Sequence, residues 1–312
     1  MNIWHLRHKD INKKRWDRTI KHSPNGQLYA WSWYLDAVTP GWEALVNQDY
    51  SAVMPLPARR KHGIHYLFQP LLTQQLGVFS LHPPDEVPVK DFLNRIPSKF
   101  RWIQITLNQS NSVSGNDFKI KSHVTCELDL SPSYHDIAAH YSTNTRRNIR
   151  KANEYHCTYE SNIPVEEFLR LLHEDQSQGS RILLSRSHTE TFNRLILSLT
   201  DHQAYTLPGI RDTSGTLIAA SLIGVSHNRF YYLAPAQTNT GRKQRAMFYL
   251  LDRFIESQSE STGFFDFEGS DIENLARFYL GFGSRKKHYL SLQINRFPWP
   301  LNIFFLHLSG NL

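Results

Sequence analysis

The chain has 312 residues, of which 40% are hydrophobic and 12% aromatic, so it carries enough apolar material for a folded core and is not intrinsically disordered. Its formal net charge of +7 permits a polyanionic partner such as nucleic acid, an anionic membrane or a phosphorylated cofactor, and equally permits none. Two cysteines and the lack of an apolar leader exclude a disulfide framework and predict a reducing, cytoplasmic setting.

The first part of the chain alternates helical and strand-like segments. Helices are predicted over Asp10–Lys21, in LYAWSWYLDAV and near Val89–Ile96. Short apolar runs predict strands, namely WEALVNQ, SAVMPLPARR, IHYLFQ, LGVFSL and FRWIQITL. The polar segment Leu107–Lys121 is rich in Ser, Asn and Gly, which indicates a loop. We therefore predict a boundary near Leu130 and two domains, 1–130 and 131–312.

The second part begins with the strand-like run VTCELDL. Ser131 and Pro132 then form a typical helix start, with helices continuing through Tyr155. Further helices are predicted after Pro164 and near Thr189–Leu199. Strands are predicted in CTYES, AYTLPGIRD, TLIAASLIGV, RFYYLAP, GFFDF and KKHYLSLQIN. Helices, then an antiparallel meander, then strand–helix alternation predict an α+β fold with a mixed sheet.

Several functions are disfavoured by missing or incomplete motifs. The sequence has no Gly-x-Ser-x-Gly elbow of a hydrolase and no phosphate-loop signature. It also has no His-Glu-x-x-His pair, so we predict no metal site. The apolar run Phe297–Leu308 contains two prolines and is shorter than the ~20 residues of a membrane span. We interpret it as a terminal strand that covers a sheet edge, in preference to a tail that touches a membrane.

A long helix is predicted from about Lys243 to Ser257, and cations crowd its beginning. Arg242, Lys243 and Arg245 oppose the helix macrodipole, which favours anions at that end, while Gly241 frees the backbone. Free amides beside basic side chains are what a pyrophosphate needs. The pattern therefore favours a phosphate site, although the same side chains could extend into solvent.

The segment DFEGSDIENLARFYLGFG, 266–283, places two acidic residues at a strand end and follows them with a short helix. Ser270 and Glu273 have the spacing of a capping box, and Gly281 is a good terminator. The helical period turns Tyr279 inward, where its hydroxyl needs a partner. Tyr279 is thus either a core tyrosine or a proton donor.

The segment NLARFYLGFG resembles the end of the GNAT acyltransferase fold. In that fold an Asn near a helix start and a Tyr before a Gly-Phe pair face the cofactor thiol, and Asn274, Tyr279, Gly281 and Phe282 match in order. The segment Tyr141–Ala152, YSTNTRRNIRKA, is similar to a helix of FemAB-like proteins, which are tandem GNAT-fold transferases of comparable length.

The resemblance covers most of 124–296 and implies two tandem GNAT-like domains, the first degenerate. Each is expected to be a mixed, mostly antiparallel sheet flanked by helices. The resemblance implies that an acyl-coenzyme A donor is bound by Gly241, Arg242, Lys243, Arg245, Ala246 and Asn274. The sequence departs from the family where Arg245 and Met247 occupy glycine positions of the pyrophosphate signature.

The leading hypothesis is an acyltransferase that acts on an amine, with acetyl- or another acyl-coenzyme A as donor. Glu268 is the expected base, in preference to Asp266, because it lies nearer the carboxyl end of the strand. Tyr279 is the expected acid. The acceptor is an amine of a small molecule or a cell-wall precursor.

Two alternatives remain. FemAB-like proteins take an aminoacyl group from tRNA and build peptidoglycan cross-bridges. Arg146, Arg147, Arg150 and Lys151 lie within an arc of roughly 140° on a helix, which suits RNA phosphates or a solvated face. A GNAT-fold protein that binds a ligand without turnover is the third hypothesis. DNA and a transmembrane segment are not expected.

Overall fold

The structure, a computed structural model, describes residues 2–298 except 84, 85, 114–117, 176, 187 and 270. The chain forms two compact units, one that joins 1–123 with the segment starting at His288, and one that comprises 124–287. These bounds differ from the predicted domains 1–130 and 131–312 because the strand Arg285–Asn295 returns to pair with the strand Phe100–Thr106. The end of the apolar run Phe297–Leu308 lies outside the described residues.

Strands and helices are numbered in chain order. The strands are β1 Ile3–Leu6, β2 Glu43–Asn47, β3 Ala52–Leu56, β4 Ala58–Lys61, β5 Ile64–Phe68, β6 Phe79–Ser80, β7 Phe100–Thr106, β8 Lys119–Asp129, β9 Thr158–Glu160, β10 Tyr205–Thr206, β11 Gly209–Arg211, β12 Leu217–Ser226, β13 Arg229–Gln237, β14 Phe264–Asp266 and β15 Arg285–Asn295. The helices are α1 Lys13–His22, α2 Ser32–Val38, α3 Val89–Asn94, α4 Tyr134–Ala139, α5 Thr143–Asn153, α6 Val165–Glu174, α7 Gln178–Leu183, α8 Thr189–Asp201, α9 Asn239–Lys243, α10 Ala246–Gln258 and α11 Glu273–Leu280.

The first unit contains two groups of paired strands. β1, β2, β3 and β6 form an antiparallel sheet, whereas β4, β5, β7 and β15 pair in that order, with β5 and β7 parallel. α1 starts at Asn12, whose side chain accepts a hydrogen bond from the Arg15 amide. Its apolar face buries Trp16, which packs edge-on against Trp42 with ring centroids 4.7 Å apart.

The second unit is built on one sheet in the order β8, β14, β13, β12, β11 and β9, and β10 also pairs with β12. The neighbours are antiparallel except β13 and β14, which are parallel. Residues of α10, including Leu250, Leu251 and Phe254, are buried in the core with Phe265 of β14. Mostly antiparallel sheets flanked by helices confirm the predicted α+β class.

Some element boundaries differ from the sequence predictions. Ser133, not Ser131, caps α4, because its hydroxyl accepts the amide of Asp136. The predicted capping serine of α11, Ser270, lies outside the described residues, and α11 begins at Glu273. Gly281 follows the last residue of α11, as predicted. Among the described residues, no helix has the length and apolar character needed to cross a membrane.

Candidate functional site

The parallel strands β13 and β14 of the second unit share only part of their length. Arg229–Tyr231 pair with Phe264–Asp266, after which β14 ends while β13 continues to Gln237. The amide of Phe267 then donates to the carbonyl of Cys126 on β8, at 2.9 Å, so the chain follows β8 instead of β13. The second half of β13 is thereby left beside a gap in the sheet.

A cavity of about 390 Å³, here called the Tyr279 cavity, lies beside this half of β13. The start of α10 and the inner side of α11 complete its wall. Its lining residues are Tyr232, Pro235, Gln237, Arg242, Arg245, Met247, Phe248, Leu275, Phe278 and Tyr279. Apolar and aromatic groups thus face two guanidinium groups, an arrangement suited to a ligand that has an apolar part and an anionic part.

Tyr279 belongs to this cavity although it is only 8% exposed. Its ring stacks on Phe267 with centroids 5.1 Å apart and meets Tyr232 edge-on at 6.1 Å. Burial raises the pKa of Tyr279, and the nearby negative charge of Glu268 raises it further. The hydroxyl therefore stays protonated at neutral pH and can donate a hydrogen bond.

Asp266 and Glu268, the two acidic residues of the segment 266–283, have different environments. Asp266 is 2% exposed and accepts hydrogen bonds from the Thr125 hydroxyl at 2.6 Å and the Glu268 amide at 3.0 Å. Burial raises the pKa of Asp266 to about 6, against the opposing charge of Arg229, whose guanidinium nitrogen lies 3.7 Å from the carboxylate. Asp266 therefore belongs to a buried ionic cluster that ties β14 to β13.

Glu268 lies beyond the end of β14, so the strand alternation expected from the sequence does not reach it. Its backbone is left-handed, with φ at 49°, and the residue is half-buried. The next residue, Gly269, lies so close to β8 that a Cβ atom there would be 1.7 Å from the Val124 carbonyl oxygen. This tight passage fixes the turn that places Glu268 near Tyr279.

Arg242 is held in the wall of the cavity by a buried carboxylate. Asp175 forms an ion pair with Arg242 and also accepts hydrogen bonds from the Ser180 hydroxyl at 3.0 Å and the Gln237 amide at 3.3 Å. The carboxylate is 3% exposed, whereas the Arg242 side chain is 34% exposed. No motif in the sequence marks Asp175, which is 67 positions from Arg242.

The predicted helix from Lys243 to Ser257 is interrupted. α9 ends at Lys243, and Arg245 adopts a left-handed conformation with φ at 60° before α10 starts at Ala246. The side chain of Arg245 makes no capping hydrogen bond to α10, whereas the Arg245 carbonyl accepts the Phe248 amide at 3.0 Å. Arg245 is exposed, and this break between the helices places its side chain in the lining of the Tyr279 cavity.

Gly241 has a packing role at this position. Its amide donates to the Thr238 hydroxyl at 3.0 Å, so it is not free as the sequence pattern suggested. A Cβ atom would be 2.2 Å from the Ile218 carbonyl oxygen, which explains the glycine. Lys243 and Asn274 are exposed, Ala246 is buried, and none of the three is in the cavity lining. Their cofactor roles, and that of Gly241, stay predictions.

The predicted cationic helix is present as α5. Arg146, Arg147, Arg150 and Lys151 are exposed, and within the described part of the chain none of them forms an ion pair. Ala152, on the opposite side, is buried. The second unit therefore presents a basic helical face to solvent.

Comparison with known proteins identifies the fold. No family model matches the chain, and no curated protein matches it. The solved structure of FemX superposes with a TM-score of 0.67 at 14% identity and covers 93% of this chain and 97% of that one. A conserved protein of unknown function from Bacteroides thetaiotaomicron gives 0.57 at 13% identity, over 91% of this chain and 98% of that one.

A third structure is the C-terminal domain of a putative lysylphosphatidylglycerol synthetase from Agrobacterium fabrum. It gives a TM-score of 0.56 at 9% identity and covers 95% of each chain. At these identities the similarity concerns the fold. The chain thus shares its fold with FemX over most of its length, in agreement with the predicted likeness to FemAB-like proteins.

Proposed function

We propose that the chain transfers an acyl or aminoacyl group from an activated donor to an amine acceptor. The observation that supports this most is the Tyr279 cavity, where a protonated hydroxyl and two guanidinium groups line a gap beside β13. Beyond Tyr231, β13 no longer pairs with β14. The backbone amides of β13 that point away from β12 therefore have no partner in β14 there. Amides placed in this way are suited to stabilise an oxyanion.

The proposed reaction uses Glu268, just beyond the end of β14, and Tyr279 of α11, whose pKa is raised by burial and by the charge of Glu268. Glu268 accepts a proton from the acceptor amine, directly or through water, as the nitrogen attacks the donor carbonyl. The new carbon–nitrogen bond forms and the carbon–sulfur or carbon–oxygen bond to the leaving group breaks. Tyr279 donates its proton to the leaving thiolate or alkoxide. Asp266 is the poorer candidate for the base because it is 2% exposed and does not line the cavity.

Acyl-coenzyme A is the donor we favour. Arg242 and Arg245 provide charge for a pyrophosphate, and the start of α10 lies next to them. The apolar wall between Phe248 and Phe278, whose rings meet edge-on at 4.8 Å, suits an uncharged portion of the donor. This donor implies a cytoplasmic location, which is part of the proposal.

An aminoacyl-tRNA donor is the second candidate, and the exposed cationic face of α5 favours it. Phosphate contacts of this kind contribute affinity that falls steeply as salt concentration rises. With this donor, the resemblance to FemAB-like proteins suggests an amine of a cell-wall precursor as acceptor. With acyl-coenzyme A, a small-molecule amine is equally suitable.

The first experiment is a melting-temperature screen with coenzyme A, acetyl-coenzyme A and aminoacyl-tRNA. A ligand at ~100 times its dissociation constant adds roughly 2.7 kcal/mol of stability, which such a screen detects. Transfer to amine acceptors is then measured for Glu268→Gln and Tyr279→Phe. Glu273→Gln and Tyr155→Phe are matched controls, because both side chains are exposed and neither lines the cavity. Full activity in both site variants would remove the mechanism.

A further inference from the structure

A second concave surface lies in the first unit, between α1 and the turn that joins β2 to β3. This groove, here called the arginine groove, has a volume of about 380 Å³. α1 contributes Arg15, Arg18 and His22, which follow one another at intervals of three and four and so share one face of the helix. The turn contributes residues 49–51.

The turn is held in a defined conformation. Tyr50 is left-handed, with φ at 62°, a conformation that costs free energy for a side chain of this size. Its carbonyl accepts the Thr19 hydroxyl at 2.5 Å, and its own hydroxyl accepts the Asn12 amide at 3.2 Å. The guanidinium of Arg15 lies 4.5 Å from the centre of the Tyr50 ring. Arg15 is therefore positioned by the fold before any ligand binds.

The charges of α1 are unevenly compensated. Lys13 pairs with Asp36 at 2.6 Å, and the carboxylate of Asp17 is used by the amide and hydroxyl of Ser32. Arg15 and Arg18, in contrast, form no ion pair with any described residue. The positive charge on the groove side of α1 is thus left for a partner.

One carboxylate, Asp49, lines the groove. It accepts the Ser51 amide at 3.0 Å, and hydrogen bonds to Ser51 hold the pKa of Asp49 below its usual range. His22 donates through Nδ1 to the Arg18 carbonyl at 2.7 Å, so its Nε2 can donate to an anion only when the imidazole is protonated. Two guanidinium groups therefore outnumber a single carboxylate.

We propose that the arginine groove binds a phosphate group, carried by a soluble phosphate monoester or by a lipid headgroup. Guanidinium groups match phosphate oxygens with paired hydrogen bonds, and Arg15 and Arg18 present two of them on successive turns of one helix. The groove is in the first unit, so this site does not depend on the transferase activity proposed for the second.

The test measures binding of inorganic phosphate by isothermal titration at constant ionic strength, and binding to phosphatidylcholine vesicles with and without phosphatidic acid. Arg15→Gln and Arg18→Gln should each weaken binding about tenfold, as expected for one charge-assisted hydrogen bond. Lys14→Gln is the matched control, because it removes the same charge from an exposed residue of α1 that does not line the groove.

The arms of the experiment separate the two sources of phosphate. Binding of inorganic phosphate without vesicle binding assigns a soluble ligand, whereas vesicle binding that needs the same arginines assigns a lipid headgroup. An equal loss in Lys14→Gln, or no saturable binding of either probe by the wild-type chain, overturns the site. Melting temperatures of the three variants, which should match the wild type, confirm that each is folded.

Discussion

Substitutions of Arg245 test the stability of the second unit and its donor binding independently of each other. A non-glycine residue in the left-handed conformation costs about 1–2 kcal/mol, a cost that Arg245→Gly removes. Glycine also raises the conformational entropy of the unfolded chain, which destabilises the folded state by about 0.4–1 kcal/mol and offsets part of this gain. We therefore expect Arg245→Gly to be more stable than the wild type by about 1 kcal/mol, or ~2–4 °C in Tm. Arg245→Ala, which keeps the strain, should gain nothing.

Both variants lose the same guanidinium from the Tyr279 cavity. A hydrogen bond to a charged group is worth about 1.5–3 kcal/mol, so donor binding should fall at least about tenfold in Arg245→Gly and Arg245→Ala alike. Thermal unfolding measures the first effect and isothermal titration with acetyl-coenzyme A or aminoacyl-tRNA measures the second. Wild-type affinity in the glycine variant, or equal Tm values for the two variants, would refute the reasoning.

Four further outcomes follow from the second unit. The pKa of Asp266 is raised from 3.8 to about 6, so the folded state binds its proton more tightly than the unfolded chain does. This stabilisation, on the order of 2–3 kcal/mol, is full below about pH 4 and is lost as pH rises through 6. Asp266→Asn should flatten this part of a profile of Tm against pH. Gly241→Ala should destabilise by about 1–3 kcal/mol in denaturant unfolding, since its Cβ meets the Ile218 carbonyl at 2.2 Å. Asp175→Asn should lower the free energy of unfolding by about 1–3 kcal/mol in the same assay. It should also weaken donor binding, because Asp175 positions Arg242; a carboxylate with only a structural role would not affect donor binding. Arg147→Glu should reduce tRNA affinity in filter binding with Tm unchanged, and unchanged affinity would exclude α5 as an RNA surface.

Much of the fold can be predicted from patterns in short stretches of the sequence. Apolar periodicity predicts α1 and α10, and β-branched runs predict most strands, because both patterns reflect which face is buried. The resemblance singles out Tyr279, which lines the Tyr279 cavity, and its catalytic role stays a prediction. What these signals share is that each depends on residues close together in the chain.

The remaining features depend on contacts between distant segments. Asp175 positions Arg242 across 67 positions, and no local pattern marks it. The sequence pattern indicates that Gly241 frees the backbone, yet Gly241, like Gly269, lies against the backbone carbonyl of a strand, where a Cβ atom would clash. The break at Arg245 was missed because arginine is a good helix former and gives no sign of a left-handed residue.

The most direct test of the proposed donor site is a steric block of the Tyr279 cavity. Leu275 lines the cavity and is 43% exposed, so Leu275→Trp adds bulk there at little cost to the fold. Leu197→Trp, on α8 at a residue 65% exposed, is the matched control. In titrations with acetyl-coenzyme A and aminoacyl-tRNA, we expect saturable binding to be lost in Leu275→Trp and kept in Leu197→Trp. Equal affinity of both variants and the wild type would contradict a donor site in this cavity.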